Sequence, residues 1–407
     1  MKEEKTNAIT LFESLPGTNF VWLFRLYPFL EKMITDYKEK MWWRYLTQNK
    51  NVNWSESLIN NTNDYLDWQD YLWVNPKMPI SIHFVETHID KIDFGQLSLN
   101  TGNHWTPEFI LHFKVKWNLH WLLMNQSINF TQNLFITLNL FQERTSCING
   151  TDLWTVEFIL QHMHSFKWFF LNENPHLPWS QDLLEKLKPI MPDGLSVMLF
   201  LNTGIPWSTE LIGKYLSKNL KEDQNGYWSA LSYNESLPWS EKFVERYEAN
   251  WDWDMLSANN KVAFNLNQIE KYKEKVIWKR KHVNFGSLSN NTSLPWSEEL
   301  IDKYLDKWDW EGLAENEGIF WTEKMIEKYK DKLNYQILFK SPSLPWSFGF
   351  LQKYLKECKA AWGLDEHSEK CREIIWNKVF AKYIDDEYVV SVLNDLPDSN
   401  TFKMKAK

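Results

Sequence analysis

Large apolar residues recur along this chain at a nearly constant interval: Phe29, Trp54, Ile80, Trp105, Phe130, Trp154, Trp179, Trp207, Trp239, Phe264, Trp296, Trp321 and Trp346. Nine of the twelve steps between them are 24 to 26 residues, and the three longer ones contain polar or glycine-bearing insertions such as residues 221–226 and 279–287. A fixed period in this range marks a stack of one short unit rather than independent cores, and loop insertions leave such a stack intact. Behind eleven of the thirteen anchors stands Ser or Thr, as at Ser55, Thr106, Ser297 and Thr322; Asn265 follows a twelfth and Leu30 the remaining one. These side chains accept a bond from an orphan amide at a helix start, so each anchor announces a helix. Acidic residues in the first turn, such as Glu298 and Glu299, suit the positive end of that helix.

Within the unit that begins at Leu294, the apolar positions Trp296, Leu300, Ile301, Tyr304 and Trp308 form one stripe at helical spacing. The spacing predicts a first helix of about eleven residues. Asp309 is then expected to cap a shorter second helix carrying Trp310 and Leu313, with Asn316 as a left-handed C-cap. Asn49, Asn100, Asn125, Asn174, Asn259 and Asn284 stand at equivalent places. The expected fold class is all-α: a solenoid of about thirteen short helix-turn-helix repeats over residues 21–364. A polar N-terminal lead, residues 1–20, precedes it, and residues 365–407 form a C-terminal capping helix and tail. A hairpin this short cannot hide both its faces, so neighbouring units must complete the core.

The phrases Leu237-Pro238-Trp239-Ser240, Leu294-Pro295-Trp296-Ser297 and Leu344-Pro345-Trp346-Ser347 are each followed by Tyr eight residues after the Trp, and Trp251-Asp252-Trp253 and Trp308-Asp309-Trp310 lead into L-S-x-N-like endings. Together they resemble Trp-rich tandem repeats of uncharacterised bacterial proteins and, more loosely, short two-helix repeats of large DNA virus proteins. The resemblance covers roughly residues 20–362 and implies a repeat fold, with no activity or catalytic residue attached.

The 25 tryptophans are what a repeated core position produces. A net charge of -8 offers no global attraction to nucleic acid or anionic membranes. The N-terminus has no signal-peptide pattern, no stretch has the length of a membrane span, and three cysteines make no even disulfide framework, so a cytoplasmic protein is expected. No phosphate loop, nucleophile elbow or HExxH pair occurs, and no cofactor or enzymatic activity is expected. Histidines gather between His83 and His176, where packed core imidazole is the default reading; Cys358, His367 and Cys371 have zinc-compatible types without a standard spacing.

Two surfaces are candidate sites. Residues 101–180 contain nine charged side chains in eighty positions, yet carry Trp117, Trp121, Phe141, Phe166, Phe169 and Phe170 beyond the anchors. Charge depletion with aromatic enrichment suits either an interface that binds a protein partner or a second copy, or a thicker core. The alternative is a polyanion site: Lys186, Lys214, Arg246, Lys271, Lys303, Lys328 and Lys353 stand seven residues after successive anchors, the last six followed by Tyr, and such a ladder suits nucleic acid. Acidic neighbours such as Glu185, Glu245, Glu270, Asp302 and Glu327 suit ordinary ion pairing instead.

Overall fold

The computed structural model describes residues 2–15, 19–66, 68, 71–102, 104–148, 150, 152–190, 197–216, 224–280, 286–361 and 367–398. The described residues form helices, turns and loops, with no strand among them. Asn284, Asp365 and parts of the insertions lie outside these residues.

Thirteen units follow one another, each built from a first helix and a second helical element; the second was expected to be the shorter, but it equals the first at Trp310–Glu315 and exceeds it at Gln224–Tyr233 and Leu355–Ala361. In every unit from Trp54 onward the Ser, Thr or Asn after the anchor accepts the amide three residues on: Ser55 from Leu58, Thr155 from Phe158, Ser208 from Leu211, Asn265 from Gln268, Ser347 from Phe350. Leu30, which has no such oxygen, starts its helix without a side-chain cap.

The first helix is shorter than the stripe suggested. Glu298–Lys303 ends where Tyr304 leaves helical geometry at φ −123°, ψ 32°, and a turn closed by Lys307 N to Tyr304 O at 2.8 Å carries Trp308 back onto the same core. A tight turn keeps nearly the helical pitch, so side-chain spacing alone does not separate the two.

Second elements of successive units lie against one another along the chain, from Asn19–Leu26 and Trp43–Leu46 through Trp310–Glu315 and Tyr335–Leu338 to Leu355–Ala361, whereas the first helices stand further apart. The stack therefore curves toward its second elements. One continuous core of buried side chains runs from Leu11 to Leu396. Ten of the anchors are buried in it; Trp105, Trp239 and Trp296 pack against it half-buried.

What registers the units is a ladder of buried asparagines. Asn49, Asn75, Asn100, Asn125, Asn174, Asn202, Asn234, Asn259, Asn291 and Asn316 each stand five residues before an anchor, and each donates from Nδ2 to carbonyls of the preceding unit. Asn316, for example, reaches Ser289 O at 2.8 Å and Asn291 O at 3.2 Å, while its Oδ1 accepts Gly318 N at 2.8 Å. Every polar atom of the buried amide is thereby satisfied, which burial demands. Asn316 has φ −71°, ψ 108°, so the expected left-handed cap is not formed: its side chain, rather than its backbone freedom, is what this position requires. Asn149, at the same offset from Trp154, lies outside the described residues.

The ladder also explains why the anchor is so often Trp. Indole Nε1 donates to the rung carbonyl that closes the preceding unit in Trp105 (2.7 Å to Asn100 O), Trp179 (2.8 Å to Asn174 O), Trp239 (3.0 Å to Asn234 O) and Trp296 (3.0 Å to Asn291 O). Phenylalanine fills the space but cannot make that bond. The serine two residues before the rung links the units as well. Ser232, Ser257 and Ser289 Oγ accept the amides of Asp252, Ile277 and Asp309, twenty residues on, at 2.9 Å each. Gly318 stands where a Cβ would lie 2.3 Å from Thr292 O, so the loops after successive rungs approach too closely for a side chain.

The chain ends meet. Lys2–Glu13, within the segment expected to be a polar lead, is a helix whose Ala8, Leu11 and Phe12 are buried. Phe12 packs edge-on against Trp376 at 5.9 Å and Phe380 at 5.2 Å, and Trp22 lies 6.3 Å from Phe380. The C-terminal segment, helices His367–Ile375 and Asp386–Asp395 joined by a π-helical turn at Trp376–Phe380, bridges the last units to the first. It therefore closes the stack on itself as well as covering the last unit.

Candidate functional site

In units three to eight each second helix largely buries the residues two and three positions before its rung. Those one, four and five positions before it share one helical face and are wholly or partly exposed, apart from Ala230. In unit five the rung carbonyl is that of Ile148, which receives Asn174 Nδ2 at 3.2 Å. Along these units the face reads Gly95, Gln96, Leu99; His120, Trp121, Met124; Glu143, Arg144, Cys147; Phe169, Phe170, Glu173; Val197, Met198, Leu201; and Ser229, Ala230, Tyr233. Glu143, Arg144 and Glu173 are its only charged positions. Trp121 is 38% exposed, Met124 41% and Phe169 54%. The helices that carry them, Leu119–Met124 and Trp168–Asn172, both lie against the turn Thr145–Cys147. Stacked helices sit about 8–10 Å apart, so the two exposed clusters are on the order of 20 Å from each other. Lys167 Nζ lies 4.8 Å from the centre of the Phe170 ring, a cation resting on an aromatic face.

The six aromatics expected at an interface divide into three groups. Trp117 and Phe166 are core residues, 7% and 5% exposed. Trp117 Nε1 donates to Ile110 O at 2.8 Å, as Trp251 and Trp308 do to Val244 O and Ile301 O, and so ties the two helices of a unit together. Both stand twelve residues after their anchors, as Trp308 does after Trp296, so they belong to the buried stripe of their units and not to an interface. Phe141 is half-buried between Phe135, Phe158, His162 and Phe166. Trp121, Phe169 and half-buried Phe170 belong to the second-helix face.

Six of the seven cations of the basic ladder pair with carboxylates. Lys214, Lys271, Lys303, Lys328 and Lys353 reach Glu185, Glu245, Glu270, Asp302 and Glu327 of the preceding unit at 2.9, 2.6, 3.0, 2.6 and 3.5 Å. Lys186 bonds Asp182 within its own helix at 2.7 Å, and Arg246 rests over the Tyr247 ring at 5.6 Å. Tyr215, Tyr304, Tyr329 and Tyr354 bury their rings and donate their hydroxyls to the same row of acids at 2.8, 2.5, 2.9 and 2.9 Å. Bonds from Lys273, Tyr304 and Lys303 hold the Glu270 carboxyl down to about 2, and Glu185, Asp302 and Glu327 shift the same way.

A pH dependence follows. A carboxylate whose folded pKa lies below its unfolded value contributes stability above the unfolded value and loses it as pH falls through the folded one. Thermal unfolding temperature is expected to drop between about pH 4.5 and 2, and less steeply in Glu270→Gln. His104, which burial lowers to about 4, adds a separate window between 6.5 and 4, in which the unfolded chain takes up the proton first. An unfolding temperature flat across both windows contradicts this assignment.

Core packing, expected of the histidines, holds for His88, which is buried, bonds Phe84 O at 2.9 Å and stacks on Trp68 at 4.9 Å, whereas His83, His112, His120, His164 and His176 are exposed, because their positions fall off the apolar stripe. Cys358 and Cys371 are buried, and burial pushes both thiols up. The His367 side chain lies outside the described residues, among which no group of three His, Cys, Asp or Glu is placed to hold a metal. Asp385 caps the last helix and pairs with Lys5, and Asp386 accepts the Tyr27 hydroxyl. Among the described residues no helix is long and apolar enough to cross a membrane.

Sequence reading alone missed Asn75, Asn202, Asn234 and Asn291, although their constant offset of five residues before an anchor was available as a signal. It also missed the second-helix face, because that face becomes contiguous only across units. The chain matches no family model, no curated protein and no solved structure.

Proposed function

We propose that this chain is a non-enzymatic scaffold that holds a protein partner on the charge-poor face of its second helices. The observation that carries this reading is the exposure of Trp121, Met124 and Phe169 on second helices two units apart, where solvent-facing positions are ordinarily charged. Exposed aromatics of this kind serve as anchors: a few buried Trp or Phe side chains dominate an interface, and uncharged surroundings lower the desolvation cost. The partner presents an uncharged apolar segment to this face, since a charged one loses hydration there without gaining a counter-ion. The lysine ladder is less suited to a polyanion than its spacing suggested, because its ammonium groups already neutralise carboxylates of the unit before.

The test compares capture from native cell extract by the wild-type chain, by Trp121→Ala, by Phe169→Ala and by Lys303→Glu. A protein retained by wild type at high salt, retained by Lys303→Glu and weakened about thirtyfold by either aromatic truncation supports the reading, about 2 kcal/mol being the usual size of an anchor loss. Capture that both aromatic variants leave unchanged, or that salt and Lys303→Glu abolish, overturns it and favours the polyanion.

A further inference from the structure

The joint that closes the stack differs from the joints within it. Between consecutive repeats, chain continuity, helix stacking and the asparagine rungs act together. At the closure Phe12 of the N-terminal helix and Trp22 of the following helix meet Trp376 and Phe380 in one aromatic seam. Around it lies a rim of largely exposed polar bonds: Lys5 to Asp385, Tyr388 to Glu13 at 3.3 Å, and Lys40 Nζ to Asp398 at 2.9 Å. On the far side of the C-terminal segment a sulfur takes the place of a rung, Cys371 Sγ standing 3.7 Å from Phe339 O and 4.0 Å from Ser341 O. A thiol is a weak donor compared with an amide. Beside the seam lies an open cleft of about 630 Å³, bordered by Tyr27, Lys50, Lys77, Trp376 and Ile384. The π-helical turn at Trp376–Phe380 is a form that recurs where helices do something other than pack.

From these differences we infer that the closure is a gate: the N-terminal helix and the C-terminal segment part at the aromatic seam while the thirteen units stay stacked. Opening turns a closed circuit into an open solenoid. It thereby uncovers the second-helix side, toward which the stack curves, to a partner too bulky to enter the closed form. The gate rests on the seam and does not require that the partner be identified.

Hydrogen exchange on the full-length native chain tests it. Amides of residues 8–15 and 376–389 are expected to exchange at least about tenfold faster than those of the buried second helices around Leu256 and Leu313, and at rates that move together. Lys5→Glu, which alters only the exposed rim, is expected to speed both seam segments and leave the stack unchanged. Phe380→Ser is expected to do the same more strongly. Nitroxide labels at Glu3→Cys and Glu387→Cys, in a Cys147→Ser background, are expected to give two distance populations, the longer growing in Lys5→Glu. Seam amides exchanging in step with the stack, or a single distance unmoved by Lys5→Glu, overturns the gate. Should Phe380→Ser unfold the chain, the rim variant and the labels decide alone.

Discussion

Replacing Asn234 with leucine is expected to cost this protein about 3–5 kcal/mol, among the largest losses available from one side chain. The substitution nearly keeps the volume but leaves the carbonyls of Phe200 and Asn202 without the Nδ2 that now reaches them at 2.7 and 3.2 Å. It also strands the Ser236 amide, which donates to Oδ1 at 2.8 Å. Asn234→Asp is expected to be at least as damaging, because a carboxylate oxygen then faces two carbonyl oxygens. Stability in a repeat stack is close to a sum of unit and nearest-neighbour contributions, so a broken rung weakens one joint. Denaturant unfolding should accordingly lose cooperativity, with the blocks before and after the break melting apart. A loss below about 1 kcal/mol with a single sharp transition would mean that the rungs follow the packing instead of holding it.

Trp117→Ala and Trp121→Ala, four residues apart, are expected to behave in opposite ways. Trp117 is buried against Phe94, Trp105 and Phe109, at ring distances of 5.2, 5.3 and 5.7 Å, and its indole bonds Ile110 O. Removing it opens a cavity and unties the hairpin, for a loss of about 3–5 kcal/mol. Trp121 projects from the second helix with only part of its ring covered, so its truncation should change stability by no more than about 1 kcal/mol and act on binding instead. Urea titration of both variants separates the cases. Equal losses would place Trp121 in the core and remove the anchor on which the proposed interface depends.

Much of the scaffold was legible because it rests on local rules. Twelve caps followed from a Ser, Thr or Asn placed after an apolar anchor, since a cap involves one side chain and an amide three residues away. The fate of Asp309 was not legible in the same way. Its position promised a cap, and Asp252 at the equivalent place does accept Asp254 and Met255 amides. Asp309 instead bonds Arg280 Nε at 3.1 Å, and that guanidinium arrives from an insertion 29 residues earlier. The recurrent asparagines point by local spacing only to a backbone cap, because the carbonyls their side chains serve lie about a whole unit upstream.

For the candidate site the division is similar. Charge depletion over residues 101–180 was visible in the composition and marked the region to which Trp121 and Phe169 belong. Composition does not say which aromatic turns in: Trp117 and Phe166 share the buried stripe position of Trp308, whereas Trp121 and Phe169 lie on the second helix, whose exposed face depends on the neighbouring units.

Amino-acid order is enough to set the unit: its length, its caps, its two-helix plan and the number of copies, all of which depend on neighbours within about 25 residues. Three-dimensional packing alone settles how copies register through buried amides, which face stays exposed, and that residues 380 positions apart, Lys5 and Asp385, meet to close the stack. Local hydrogen bonds are set by spacing along the chain, whereas curvature accumulates over the twelve joints between units, and only their sum brings the two terminal segments together.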